Sequence, residues 1–144
     1  MVLTACVTTQ AQSPAEGAKH LYYERYASAE KSFRQAVTQD PGNGDAWYGL
    51  ARSLVLRKKT DEARSQFWSA PESARDEAMF NAAYGYVLLA QDKKDSASTY
   101  FNEALDRTRH KNVGVLLAVA QAQIQNKGGD PAYAQELIER AKKT

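Results

Sequence analysis

Apolar residues recur along this chain in short stripes that a helix gathers on one face. Ala29, Phe33 and Ala36 stand at i, i+4 and i+7, as do Ala63, Phe67 and Ala70, and again Ala97, Phe101 and Ala104. Side chains at these offsets lie over one another on a 3.6-residue helix, so each trio marks one buried helix face. The three trios follow one another at a spacing of 34 residues, and Ala134, Ile138 and Ala141 form a looser fourth copy displaced by three more. Between the stripes, Gly17, Ala51 and Gly85 keep the same interval. All three are small, as the close approach of two helix backbones requires. Trp47, Leu50 and Leu54 supply the apolar face of one intervening helix.

This pattern predicts eight helices, over 13–24, 27–39, 44–58, 61–70, 76–91, 94–109, 112–126 and 131–143, in an all-α chain without strands. Asp40-Pro41-Gly42-Asn43-Gly44 and Asn126-Lys127-Gly128-Gly129-Asp130-Pro131 are turn signals between them. Ser13-Pro14-Ala15-Glu16 reads as a capping box with proline in the first helical position. Pro71 breaks the register. It falls inside the second stripe's helix, which is expected to stop near Ser69 or Ala70, followed by an irregular link that leaves either a notch or only a shortened helix.

The recurring residues resemble the tetratricopeptide repeat family. Its signature is Trp, Leu-Gly and Tyr on a first helix, then Ala, an aromatic residue, Ala and Pro on a second. The first repeat supplies Gly17, Tyr26, Ala29, Phe33, Ala36 and Pro41. The second supplies Trp47, Leu50, Ala63, Phe67 and Ala70, with Arg75 where the closing proline belongs. The third supplies Gly85, Ala97, Phe101 and Ala104. The resemblance implies a right-handed α-solenoid of about four helix-turn-helix repeats, near 10–43, 44–77, 78–111 and 112–144, in one domain over 13–144. It also implies a non-catalytic scaffold or adaptor that binds a protein or peptide on a concave surface lined by the first helices. At the matching phase that surface comprises Tyr22, Tyr48, Arg52, Val55, Leu56, Met79, Tyr86, Leu89, Leu116 and Gln123. It is mostly apolar and aromatic with Arg52 as the central cation, which suits an amphipathic helix or an extended apolar peptide. The same side chains could equally be core. The positions at which one branch of the family clamps a terminal carboxylate hold Pro14, Ala18, Gly49, Met79 and Ala83 here, and none can pair with one. A structural, self-associating module and a carrier of a small apolar ligand are the other readings.

Composition narrows the partners further. The 144 residues carry a net charge of only +2 with both signs mixed, which argues against nucleic acid. Arg57-Lys58-Lys59 is the densest basic run, and it falls where cations complement a helix C-terminus. One cysteine and two distant histidines make no metal-ligand pattern, so neither a metal nor a cofactor is expected. No phosphate loop, nucleophile elbow or zinc motif is present, and no enzyme activity is expected. Asp61-Glu62, Asp76-Glu77 and Asp92 with Asp95 fall at expected helix starts, as capping or dipole partners. The polar outer surface of the last helix makes a monomer sufficient, with self-association open.

Leu3-Thr4-Ala5-Cys6 resembles a bacterial lipobox, followed by a polar tether to residue 12. On that reading Cys6 is lipidated, the domain is exported to the periplasm or cell envelope as a membrane-anchored lipoprotein, and the anchor is its one membrane contact. The basic and apolar regions that precede such a signal are not in the sequence. Cleavage of an ordinary signal peptide after Thr9-Gln10-Ala11 and an unstructured cytosolic terminus are the alternatives.

Overall fold

The computed structural model describes residues 14–144, and within them the chain is all helical. Its elements are α1 (Pro14–Tyr22), α2 (Tyr26–Gln39), α3 (Gly44–Leu56), α4 (Thr60–Trp68), α5 (Glu72–Arg75), α6 (Ala78–Ala90), α7 (Lys94–Arg107), α8 (Val113–Gln125) and α9 (Pro131–Lys142). Helices α1, α3, α6 and α8 stack side by side, and α2, α4, α7 and α9 pack behind them as the second member of each pair. The result is a solenoid of helical hairpins.

The 34-residue period is visible in the backbone. Glu24, Lys58 and Asp92 stand 34 residues apart, and each has a left-handed φ, of 57°, 62° and 60°. Each ends the first helix of its pair. The next amide then reaches back five residues, from Arg25 to the His20 carbonyl, Lys59 to Leu54 and Lys93 to Leu88, at 2.8, 2.8 and 2.9 Å. This is the Schellman closure, which satisfies carbonyls that a helix end would otherwise orphan. Asn43, Asn112 and Asp130 start α3, α8 and α9, each side chain accepting from the amide three residues on.

The recurrent aromatic residue is the wedge between hairpins. The Phe33 ring from α2 sits between Gly17 of α1 and Gly49 of α3. A Cβ at Gly17 would stand 2.7 Å from that ring, and one at Gly49 2.2 Å. Phe101 packs on Gly85 in the same way, 2.4 Å from a Cβ placed there. In the middle, Phe67 meets Trp47, Phe80 and Tyr84 at centroid distances of 5.0, 4.9 and 5.6 Å.

On the outer face, α2 and α4 are laced together by charge. Glu30, almost buried, accepts from Arg34, Arg57 and Lys59, while Arg34 also reaches Glu62 at 2.9 Å and Gln66 at 2.8 Å. Two of the three residues in the basic run therefore serve Glu30 on the neighbouring hairpin, beyond any role at the helix end.

Two features depart from the sequence pattern. Helix α4 spans nine residues where α2 and α7 span fourteen. Pro71 has no amide to donate and disfavours helical backbone before it, so α4 stops at Trp68. The link is more ordered than expected, because Pro71 caps the short α5. There Asp76 closes a helix instead of opening one, and the Arg75 side chain turns back onto the Ala70 carbonyl at 2.9 Å and onto that of Trp68. Second, the array does not end on a wholly polar surface. Val113, Leu117 and Ile124 lie within about 40° of one another around α8 at 100° per residue, and all three are exposed. Ser13 and Cys6, with the lipobox and tether, lie outside the described residues.

Candidate functional site

The stacked first helices bring the expected groove residues onto one side, but α8 lies across much of it. The Tyr48 hydroxyl of α3 reaches past α6 to α8, 2.6 Å from Gln121 Oε1 and 3.1 Å from the Ala118 carbonyl. The Tyr86 hydroxyl of α6 donates to Gln125 Oε1 of α8 at 3.0 Å. The two tyrosine rings meet edge to face, 6.0 Å apart. Burial pushes both phenols above their ordinary titration range, while the nearby Arg52 guanidinium works the other way. Both hydroxyls stay protonated donors that pin α8 in place.

This packing sorts the ten expected groove residues. Leu116 is wholly inaccessible, Tyr86 is 2% exposed, and Leu89 and Gln123 are buried with them. Gln123 is committed internally, its Oε1 accepting from the Asp130 amide at 2.8 Å. These four are core, because α8 covers the face of α6 that an open solenoid would present. Val55 and Met79 are half-buried against the core, and Leu56 stands at the exposed end of α3. Tyr22, Tyr48 and Arg52 come together.

They meet in a cleft of about 420 Å³ between α1 and α3. Leu21, Tyr22, Tyr48 and the Phe33 ring give it apolar walls, and Pro14, Ala18, Asp45 and Gly49 complete them. Tyr22 stands at its edge, 82% exposed. Arg52 is the cation of the cleft. Its Nε is buried without a hydrogen-bond partner, and no carboxylate pairs with its guanidinium among the described residues. The sequence marks the tyrosines and the arginine. Pro14, Ala18 and Gly49, which stand at the family's clamp positions, also line the cleft, whereas Phe33 is not marked as a cleft residue, since the 34-residue pattern assigns it to packing between helices. The missing side chain at Gly49 leaves room for the buried Phe33 ring, which packs there against the base of the cleft.

Among the described residues, no group of three or more His, Cys, Asp or Glu side chains is placed to hold a metal ion. No helix among them is long and apolar enough to cross a membrane.

The sequence profile of the tetratricopeptide repeat family matches residues 20–85. No curated protein matches the sequence. Among solved structures, that of YrrB, described as a TPR protein with an unusual peptide-binding site, aligns with a TM-score of 0.49 at 18% identity, covering 92% of this chain and 69% of YrrB.

Proposed function

Because residues 20–85 match the tetratricopeptide repeat family, we propose that this chain is an adaptor whose cleft between α1 and α3 grips a peptide or helix of a partner. Repeats of this kind are generally non-catalytic interaction modules. The observation that carries the reading is the open cleft itself: Tyr22 and Leu21 on one wall, Tyr48 on the other, and Arg52 with an unused buried donor. Aromatic and arginine side chains are the common anchors of binding energy, because they offer large contact area together with a polar tip. An apolar side chain of the partner fills the cleft, and a carbonyl or carboxylate beside it meets Arg52.

Tyr22→Ser combined with Arg52→Gln tests this. Both side chains are at least partly exposed, so far-UV helicity should hold while capture of cross-linked partners from native cells falls at least about tenfold, about 1.4 kcal/mol. Undiminished capture by the double variant refutes the cleft as the site. Recovery of the protein alone favours a self-associating module, for which the exposed Val113, Leu117 and Ile124 of α8 supply an apolar edge.

We further propose an exported, lipid-anchored location, on the strength of Leu3-Thr4-Ala5-Cys6 and the polar stretch after it. Labelled fatty acid fed to cells expressing the native gene should appear on the protein, and Cys6→Ser should abolish it. Label that survives the substitution, or never appears, removes the anchor.

A further inference from the structure

The gaps on either side of α4, between it and its neighbouring second helices, are treated differently by the chain. The gap between α2 and α4 is closed by the ion pairs around Glu30 and Arg34. The gap between α4 and α7 has no such lacing. Pro71 ends α4 early, and no ion pair joins α4 to α7 among the described residues. Aromatic side chains line the space instead. The Tyr84 and Tyr100 rings lie 4.5 Å apart. With Trp68, Phe67 and Phe80 they surround a pocket of about 80 Å³, room for a proline ring or a small aliphatic side chain. Trp68 also lines a wider surface cleft of about 500 Å³ with Asp61, Arg64 and Ser65, so the pocket and the cleft adjoin at its indole. Trp68 is 71% exposed. A large aromatic ring left in water beside an aromatic pocket is a costly surface unless something covers it.

The charges around the slot state what kind of segment fits. Arg64 and Arg75 flank it and both act on the Tyr84 phenol. Neither forms an ion pair among the described residues. Asp61, the carboxylate of the cleft, already accepts from Gln91 at 2.7 Å. Two unneutralised guanidinium groups beside an aromatic pocket complement a segment that carries carboxylates next to an apolar anchor.

We infer that the slot between α4 and α7 is a second docking site, separate from the cleft between α1 and α3, for an extended partner segment with one small apolar anchor flanked by acidic residues. The anchor enters the pocket under Trp68, Tyr84 and Tyr100, and the carboxylates meet Arg64 and Arg75. The break at Pro71 is what opens the site, since a full-length α4 would run on past Trp68. The site does not depend on the cleft between α1 and α3, and loss of one leaves the other intact.

The two tryptophans make the test direct, because Trp47 is buried and Trp68 is exposed. Iodide quenching of the full chain therefore reads Trp68. The probes are ten-residue synthetic peptides with a central Leu or Pro flanked on each side by two Asp, and twins flanked by Lys. Saturable binding of the Asp-flanked peptides should shield the fluorescence from iodide, with the Lys-flanked twins at least about tenfold weaker. Trp68→Ala, at an exposed position, should weaken binding at least about tenfold, followed by the polarisation of a dye on the peptide. Tyr22→Ser with Arg52→Gln should leave it unchanged. The inference is overturned if no peptide binds saturably, if Lys flanks serve as well as Asp, or if Trp68→Ala binds as the parent does. It is overturned equally if iodide protection appears without peptide as protein concentration rises, because a second copy is then the occupant.

Discussion

Phe67→Ala should lower the unfolding free energy by about 3–5 kcal/mol, the range for emptying an aromatic side chain from a packed core. Phe67 is the wedge of the middle hairpin and is almost wholly buried. Its ring contacts Trp47 from its own hairpin and Phe80 and Tyr84 from the next, so its loss weakens the junction between two repeats as well as one helix pair. Repeat arrays are held together by contacts between neighbours, and a cut at the middle junction separates the halves. The neighbours cannot collapse easily into the space, because α4 is already short and pinned through Arg75 to the carbonyls of Ala70 and Trp68. Denaturant unfolding followed by circular dichroism measures the loss. A drop below about 1 kcal/mol would mean that the ring is not the wedge this packing makes it. The same experiment on Trp68→Ala, one residue along but exposed, should give a change within about 0.5 kcal/mol, as for a surface position.

That contrast between adjacent residues shows what is legible in the sequence. The period of 34 is carried by Ala-x-x-x-Phe-x-x-Ala, residues whose size is dictated by the approach of two helices. It therefore transfers directly to α2, α4 and α7, and to the left-handed turns at Glu24, Lys58 and Asp92. The site is less legible because the same periodicity assumes that each hairpin meets the next in the same way. Helix α8 does not. It is reached by Tyr48 of α3 at Gln121, and Tyr86, Leu89, Leu116 and Gln123 are buried where it packs. No spacing within α8 announces that contact, since it arises from hydrogen bonds between residues 70 and 73 positions apart. Pro71 is the opposite case. The sequence places the break, but the aromatic slot beside it depends on Tyr84 and Tyr100 arriving from two other helices.

Glu30→Gln should destabilise the fold at neutral pH and flatten its acid limb. Burial alone would raise the Glu30 pKa, but hydrogen bonds from Arg34 and Arg57 and the charge of Lys59 outweigh it and hold the carboxyl below its ordinary value of 4.5. A carboxyl held low in the folded state adds stability that is complete above its unfolded pKa and is lost as the pH falls through the folded one. The parent should therefore lose stability on acidification below pH 4.5, as protonated Glu30 releases its cations. Glutamine keeps the shape and one carbonyl acceptor but no charge, so Arg34, Arg57 and Lys59 are left without their shared counter-ion. Hydrogen bonds to charged groups contribute about 1.5–3 kcal/mol. The lower half of that range applies here, because all three cations are at least a third exposed or close to it. The gap between parent and variant should be widest near pH 7 and close toward pH 3. A gap that stays constant across that interval would mean that Glu30 acts through packing alone. The junction between α2 and α4 would then owe nothing to charge, and the contrast between a laced gap and an aromatic one would lose its basis.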